Sequence, residues 1–126
     1  MRKLFISILI GGGLLLCAQA PDPEPTKVLF NRGVREEQRG RLDSAKLFFV
    51  TLVRTYDESS YVSQAKAEIG AIAVYQEAQA KQAAGDLRAA FDTYQTLVLG
   101  YRESALAAAA SKQMRLIDPE GKWTRR

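Results

Sequence analysis

Two stretches decide how this chain folds: GRLDSAKLFFVTLVRTYDES at residues 40–59 and GDLRAAFDTYQTLVLGYRES at residues 85–104. Laid one over the other, they keep register without a gap. Gly40 falls on Gly85, Leu42 on Leu87 and Ala45 on Ala90, while Thr51, Leu52 and Val53 fall on Thr96, Leu97 and Val98. Tyr56 meets Tyr101, and Glu58-Ser59 meets Glu103-Ser104. The match continues outside the quoted stretches, with Phe30 on Tyr75, Gly33 on Ala78 and Ala65 on Ala110. One offset of about 45 residues accounts for every pair, which marks a repeated structural unit.

Each unit reads as helix, turn, helix. Gly40 and Gly85 stand where a helix must end in a left-handed residue, a conformation glycine adopts without steric cost. After each turn the apolar residues recur at steps of three and four: Leu42, Ala45, Phe49, Leu52, Val53 and Tyr56, then Leu87, Ala90, Phe91, Tyr94, Leu97, Val98 and Tyr101. That spacing gathers them on one helix face. Small Ala45 and Ala90 suit the closest helix approach. Ser59 or Ser60, and Ser104, suit helix N-caps. A third helix is expected over about Tyr61–Ala84 and a last one over Ala105–Ile117, stopping before Asp118-Pro119.

Working outward to the N-terminus, Met1-Arg2-Lys3 is basic and Leu4 to Leu16 is uncharged and apolar. This has the form of a secretory signal and is short for a bilayer span. Two cleavage sites compete. Leu14-Leu15-Leu16-Cys17 resembles a bacterial lipobox, although Leu16 stands where a small residue is usual. Ala18-Gln19-Ala20 is a small-x-small site, followed by Pro21. On the first reading Cys17 is lipidated and becomes the mature N-terminus; on the second it is discarded. Its place at the end of the apolar run favours lipidation. The chain then divides into a leader (1–20), a Pro-rich extended spacer (21–26), a helical-repeat domain (27–117) and a loose polar tail (118–126), whose Trp123 could tuck back onto the domain.

Composition narrows the chemistry. Histidine is absent and Cys17 is the single cysteine, so imidazole bases, imidazole metal ligands and an intrachain disulfide are all missing. A non-enzymatic protein is expected, with no cofactor, no metal and no small-molecule substrate. The formal charge is +4, and Arg2 and Lys3 carry two of those charges within the leader. What is left is too balanced for a nucleic-acid partner.

The pattern Gly-x-Leu-x-x-Ala-x-x-x-Phe/Tyr-x-x-Leu-Val-x-x-Tyr-x-x-Ser, present at Gly40–Ser59 and Gly85–Ser104, resembles the tetratricopeptide repeats of BamD-like lipoproteins. The resemblance covers most of residues 27–117. It implies an all-α fold of two tetratricopeptide-like antiparallel helical hairpins plus a C-terminal capping helix. It further implies a protein-binding scaffold of the bacterial cell envelope that takes part in outer-membrane β-barrel assembly. With Cys17 lipidated, the protein would sit on the periplasmic side of the outer membrane. The alternative is a soluble periplasmic adaptor of the Tol-Pal accessory type. Departures are Asp57 and Arg102 where the family usually has proline, and a unit longer than the usual 34 or so residues. The excess lies in the third helix, where Ile69-Gly70 reads as a small-residue packing pair. Only two repeats fit, fewer than BamD itself carries.

By the same resemblance the first helix of each pair lines the partner-binding face. That places Phe30, Val34 and Glu37, then Tyr75, Gln79 and Gln82, in a shallow groove; Phe30 and Tyr75 could equally pack on the adjoining helix. Glu58-Ser59 and Glu103-Ser104 are similar to the Glu-Ser pair of helical lytic transglycosylases, a cell-wall enzyme reading. Their duplication at helix starts instead favours capping. The run Arg35-Glu36-Glu37-Gln38-Arg39 reads as a solvated face, and Ala107–Ala110 as a tight cap over the fourth helix.

Overall fold

The computed structural model describes residues 24–124 and places five helices among them: α1 (Glu24–Gln38), α2 (Leu42–Thr55), α3 (Val62–Ala83), α4 (Leu87–Gly100) and α5 (Ala105–Ile117). The described part of the chain is all-α. The leader, Cys17 with both candidate cleavage sites, and most of the Pro-rich spacer lie outside the described residues. None of the described helices is long and apolar enough to cross a membrane.

Two glycine turns set the plan. Gly40 and Gly85 take φ of 79° and 86°. Gly40 N donates to Glu37 O and Arg41 N to Glu36 O; Gly85 N donates to Gln82 O and Asp86 N to Lys81 O. Both are Schellman endings, which satisfy carbonyls that the helix end leaves unpaired. The chain reverses at once, so α1 lies on α2 and α3 on α4, while α2 also packs on α3 and α4 on α5.

The other two turns are closed by serine. Ser59 Oγ accepts from Tyr61 N at 3.0 Å, and Ser104 Oγ accepts from Leu106 N at 3.0 Å. Ser104 therefore caps the start of α5, whereas Ser59 closes the turn ahead of α3, whose N-cap position is Tyr61 and has no side-chain cap; Glu58 and Glu103 beside them are exposed. Asp86 caps α4 by accepting from Ala89 N. Its repeat equivalent Arg41 has no such acceptor and turns back onto Glu36 instead.

The core runs through the repeat positions. Ala45, Phe49, Leu52, Ala65, Ile72, Ala78, Ala90, Tyr94, Leu97 and Ala110 are buried in one cluster. Burying side chains the size of Phe49 or Leu97 contributes about 1.5–3 kcal/mol each. Gly33 has a steric reason: a Cβ there would stand 2.6 Å from the Phe49 ring. At the equivalent site stands Ala78, buried in the same cluster as Tyr94. Gly70 is held likewise, since a Cβ would meet Tyr101 Oη at 2.7 Å.

The long third helix serves two neighbours. It packs on both α2 and α4. It also reaches the start of α2, where Gln76 Nε2 donates to Asp43 Oδ1 at 2.9 Å. The last helix is shorter, and the chain after it supplies the missing cover. Asp118 accepts from Lys122 N and Trp123 N, bending the tail back so that Trp123 packs edge-on against Phe91 at 5.2 Å. Arg88 lies over the same indole at 5.1 Å. Coverage is less complete than in the first repeat: Leu42 is 6% exposed and Leu87, its equivalent, 43%.

Three expectations change. Glu24, Pro25 and Thr26 belong to the first turn of α1 and not to an extended spacer, because proline is tolerated where a helix has no amide bonds to lose. The tail is not loose through residue 124. The run Arg35–Arg39 is not wholly solvated, since Glu37 is only 4% exposed.

Candidate functional site

The α1–α2 hairpin and the α4–α5 turn approach across α3 and leave a cavity of about 530 Å³. Phe30 and Val34 from α1, Gln64, Ala67 and Glu68 from α3, and the Gly100–Ala105 turn line it. Phe30 is fixed by two neighbours, packing edge-on to Phe49 at 5.6 Å and tilted on Tyr61 at 5.2 Å. Its own helix has no choice of face here: Phe30, Gly33 and Glu37 lie at helical spacing, and Gly33 lies against Phe49.

Glu68 is the polar feature of this groove. It is 7% exposed, and Ser104 donates its hydroxyl to Oε1 at 2.6 Å. The serine therefore works twice, capping α5 and holding a carboxylate. Beside Glu68 stands Glu37, buried, with no hydrogen-bond donor in reach of either carboxyl oxygen. Burial, together with the adjacent Glu68 carboxyl, pushes Glu37 well above the usual carboxylate range. In its neutral form Glu37 has a proton to share with Glu68, which is how two carboxyl groups tolerate one site.

Forty-five residues on, the same two positions are amides. Gln82 Nε2 donates to Gln113 Oε1 at 3.4 Å, and Tyr94 Oη donates to Gln82 Oε1 at 2.8 Å. Burial, with Tyr75 nearby, pushes the Tyr94 phenol up to about 12, so it remains a donor. In the first repeat Phe49 occupies the place of Tyr94 and has no hydroxyl to offer Glu37. One repeat satisfies its buried polar pair with amide and phenol donors; the other offers Glu37 no donor beyond the proton it shares with Glu68.

The six residues expected in one groove therefore separate. Phe30 and Val34 line the cavity, with Glu37 behind Glu68. Tyr75 is buried edge-on against Tyr94 at 5.3 Å, and Gln82 belongs to the amide cluster with Gln113. Gln79 is exposed on α3. The structure adds Glu68, Gln64, Ala67 and the Tyr101–Ala105 turn, none of which the sequence reading placed in the groove. The available signal was the register itself: Glu68 aligns with Gln113, a polar residue on a buried stripe.

Nearby, Glu36 is held in a two-point ion pair by Arg41, at 2.7 Å from Nε and 3.0 Å from Nη2. The hydrogen bond from Arg41 holds Glu36 down to about 2. This pair locks the Gly40 turn and takes no part in the groove. Among the described residues no group of three or more acidic or sulfur side chains is placed to hold a metal ion.

No family model, no curated protein and no solved structure matches this chain.

Proposed function

We propose that this chain is a protein-binding scaffold of the bacterial cell envelope, built from two tetratricopeptide-like hairpins and a capping helix, and resembling BamD-like components of outer-membrane protein assembly. The observation that carries the reading is the groove of about 530 Å³ between α1, α3 and the α4–α5 turn. It combines apolar walls with a few polar groups, the composition of a peptide-recognition surface. The repeated glycine and serine turns hold its walls on rigid helices, so little order has to be gained on binding.

The basic, apolar, cysteine-containing segment at residues 1–17 supports export, with the periplasmic face of the outer membrane as the site of action if Cys17 carries lipid. Affinity capture from detergent-solubilised envelopes tests the role. Recovery of β-barrel assembly components supports it, and a different stable partner without them overturns it. The Tol-Pal accessory type of adaptor remains the second reading, favoured by Ala18-Gln19-Ala20. The intact mass of the mature N-terminus separates the two, since only the first begins at a lipidated Cys17.

A further inference from the structure

We propose that the groove receives a cationic side chain, lysine or arginine, presented by the partner protein, with Glu68 as the acceptor and Glu37 behind it; this rests on the groove being the protein-binding surface. Three observations lead there. First, Glu68 lies at the groove wall with one oxygen fixed by Ser104 at 2.6 Å, so its carboxylate is oriented before anything binds. Second, Glu37 is 4% exposed, adjoins Glu68 and meets no donor outside that carboxyl pair. Buried polar groups are seldom left in that state. Third, the second repeat shows what satisfaction looks like at the same positions, through Gln82, Gln113 and the Tyr94 hydroxyl.

Beyond the Ser104 hydroxyl and the shared carboxyl proton the first repeat lacks donors, and an ammonium or guanidinium group brings several. The rest of the groove suits the stem of such a side chain. Phe30, Val34 and Ala67 offer apolar surface to the methylenes, as long basic side chains require. The charged groups facing the cavity are Glu68 from α3 with Glu103 and Arg102 from the turn, and Glu37 stands behind from α1. Acids outnumber bases, which disfavours an anionic occupant. The deep position of the carboxyls also distinguishes this from a rim ion pair: a cation reaching Glu68 is partly desolvated, where charge-assisted hydrogen bonds are strongest.

Three capped tripeptides test this against the 15N-labelled mature protein as purified from producing cells: Ac-Leu-Lys-Leu-NH2, the same with norleucine, and the same with glutamate. The lysine peptide is expected to shift the amide resonances of Ala67, Glu68 and Ser104 and to bind about tenfold or more tighter than the norleucine peptide. Glu68→Gln, which copies Gln113, is expected to bring binding of the lysine peptide down to that of the norleucine peptide. Equal binding of lysine and norleucine peptides, or tighter binding of the glutamate peptide at the same resonances, overturns the cationic inference and leaves a protein-binding groove. No shift at groove residues with any peptide overturns the inference as well. The groove reading itself is then decided by partner cross-linking from Gln64.

Discussion

Glu37 on α1 and Glu68 on α3 lie side by side with their carboxyl groups buried, at the positions where Gln82 and Gln113 join by an amide hydrogen bond. The substitution of acids for amides has a thermodynamic signature. The unfolded chain releases the Glu37 proton near the ordinary value of 4.5, whereas the folded chain keeps it to higher pH. Between those two points the folded state binds more protons, so its stability falls as pH rises, by at most about 1.4 kcal/mol per pH unit. Below the ordinary value both states are protonated and the contribution is whole. Thermal melts by circular dichroism should therefore show the wild type losing stability between about pH 5 and pH 8. Glu37→Gln should flatten that slope and melt higher than wild type at the upper end.

Glu36 has the opposite sign. Its folded value of about 2 lies below the ordinary 4.5, so the Arg41 ion pair stabilises above that range and is lost as pH falls toward 2. Arg41→Ala should lower melting most near neutral pH, and its difference from wild type should shrink as pH falls toward 2. In an acid titration the wild type should lose part of its stability between 4.5 and 2, and the variant should lose less there.

Gly33 tests packing at the α1–α2 hairpin. Gly33→Ala forces a methyl to within 2.6 Å of the Phe49 ring and should cost about 1–3 kcal/mol. Phe49→Leu alone is destabilising, but made in the Gly33→Ala background it should cost less, with a coupling of about 1 kcal/mol by urea denaturation. Gly40→Ala is the control. It meets nothing within 4 Å, so its cost should come from left-handed backbone alone, about 1–2 kcal/mol.

Trp123 covers Phe91 in place of a further helix. Trp123→Ala should destabilise by about 1–2 kcal/mol through lost burial and the lost Arg88 contact. It should also join Phe91 to the exposed Leu87 as an apolar patch, raising self-association in sedimentation velocity runs.

Much of this was legible in the chain because its determinants are local. Gly40 and Gly85 announce their turns, Ser104 its cap, and Ala105–Ile117 begins and ends where that serine and Asp118-Pro119 place it. What escaped depends on neighbours distant in sequence. Pro25 sits in helix α1 because the first turn requires no amide from it, although the surrounding prolines read as extended chain. Glu37 is polar by composition and buried by register, and register prevails because Phe30 and Gly33 commit that face to α2. Glu68 becomes visible only once α3 brings it beside α1 and the Ser104 turn. The return of Trp123 was open to the sequence, but its partner Phe91 was not, because Asp118 sets where the tail bends back.

The most direct test of the groove as a protein-binding surface is site-specific photo-cross-linking in producing cells, with benzoylphenylalanine at Gln64 on the groove wall and, separately, at Leu47 and Leu99 on exposed faces outside it. The account predicts a discrete protein adduct from Gln64 that Leu47 and Leu99 do not form. Adducts of the same mass and yield from Leu47 or Leu99, with none from Gln64, would contradict it.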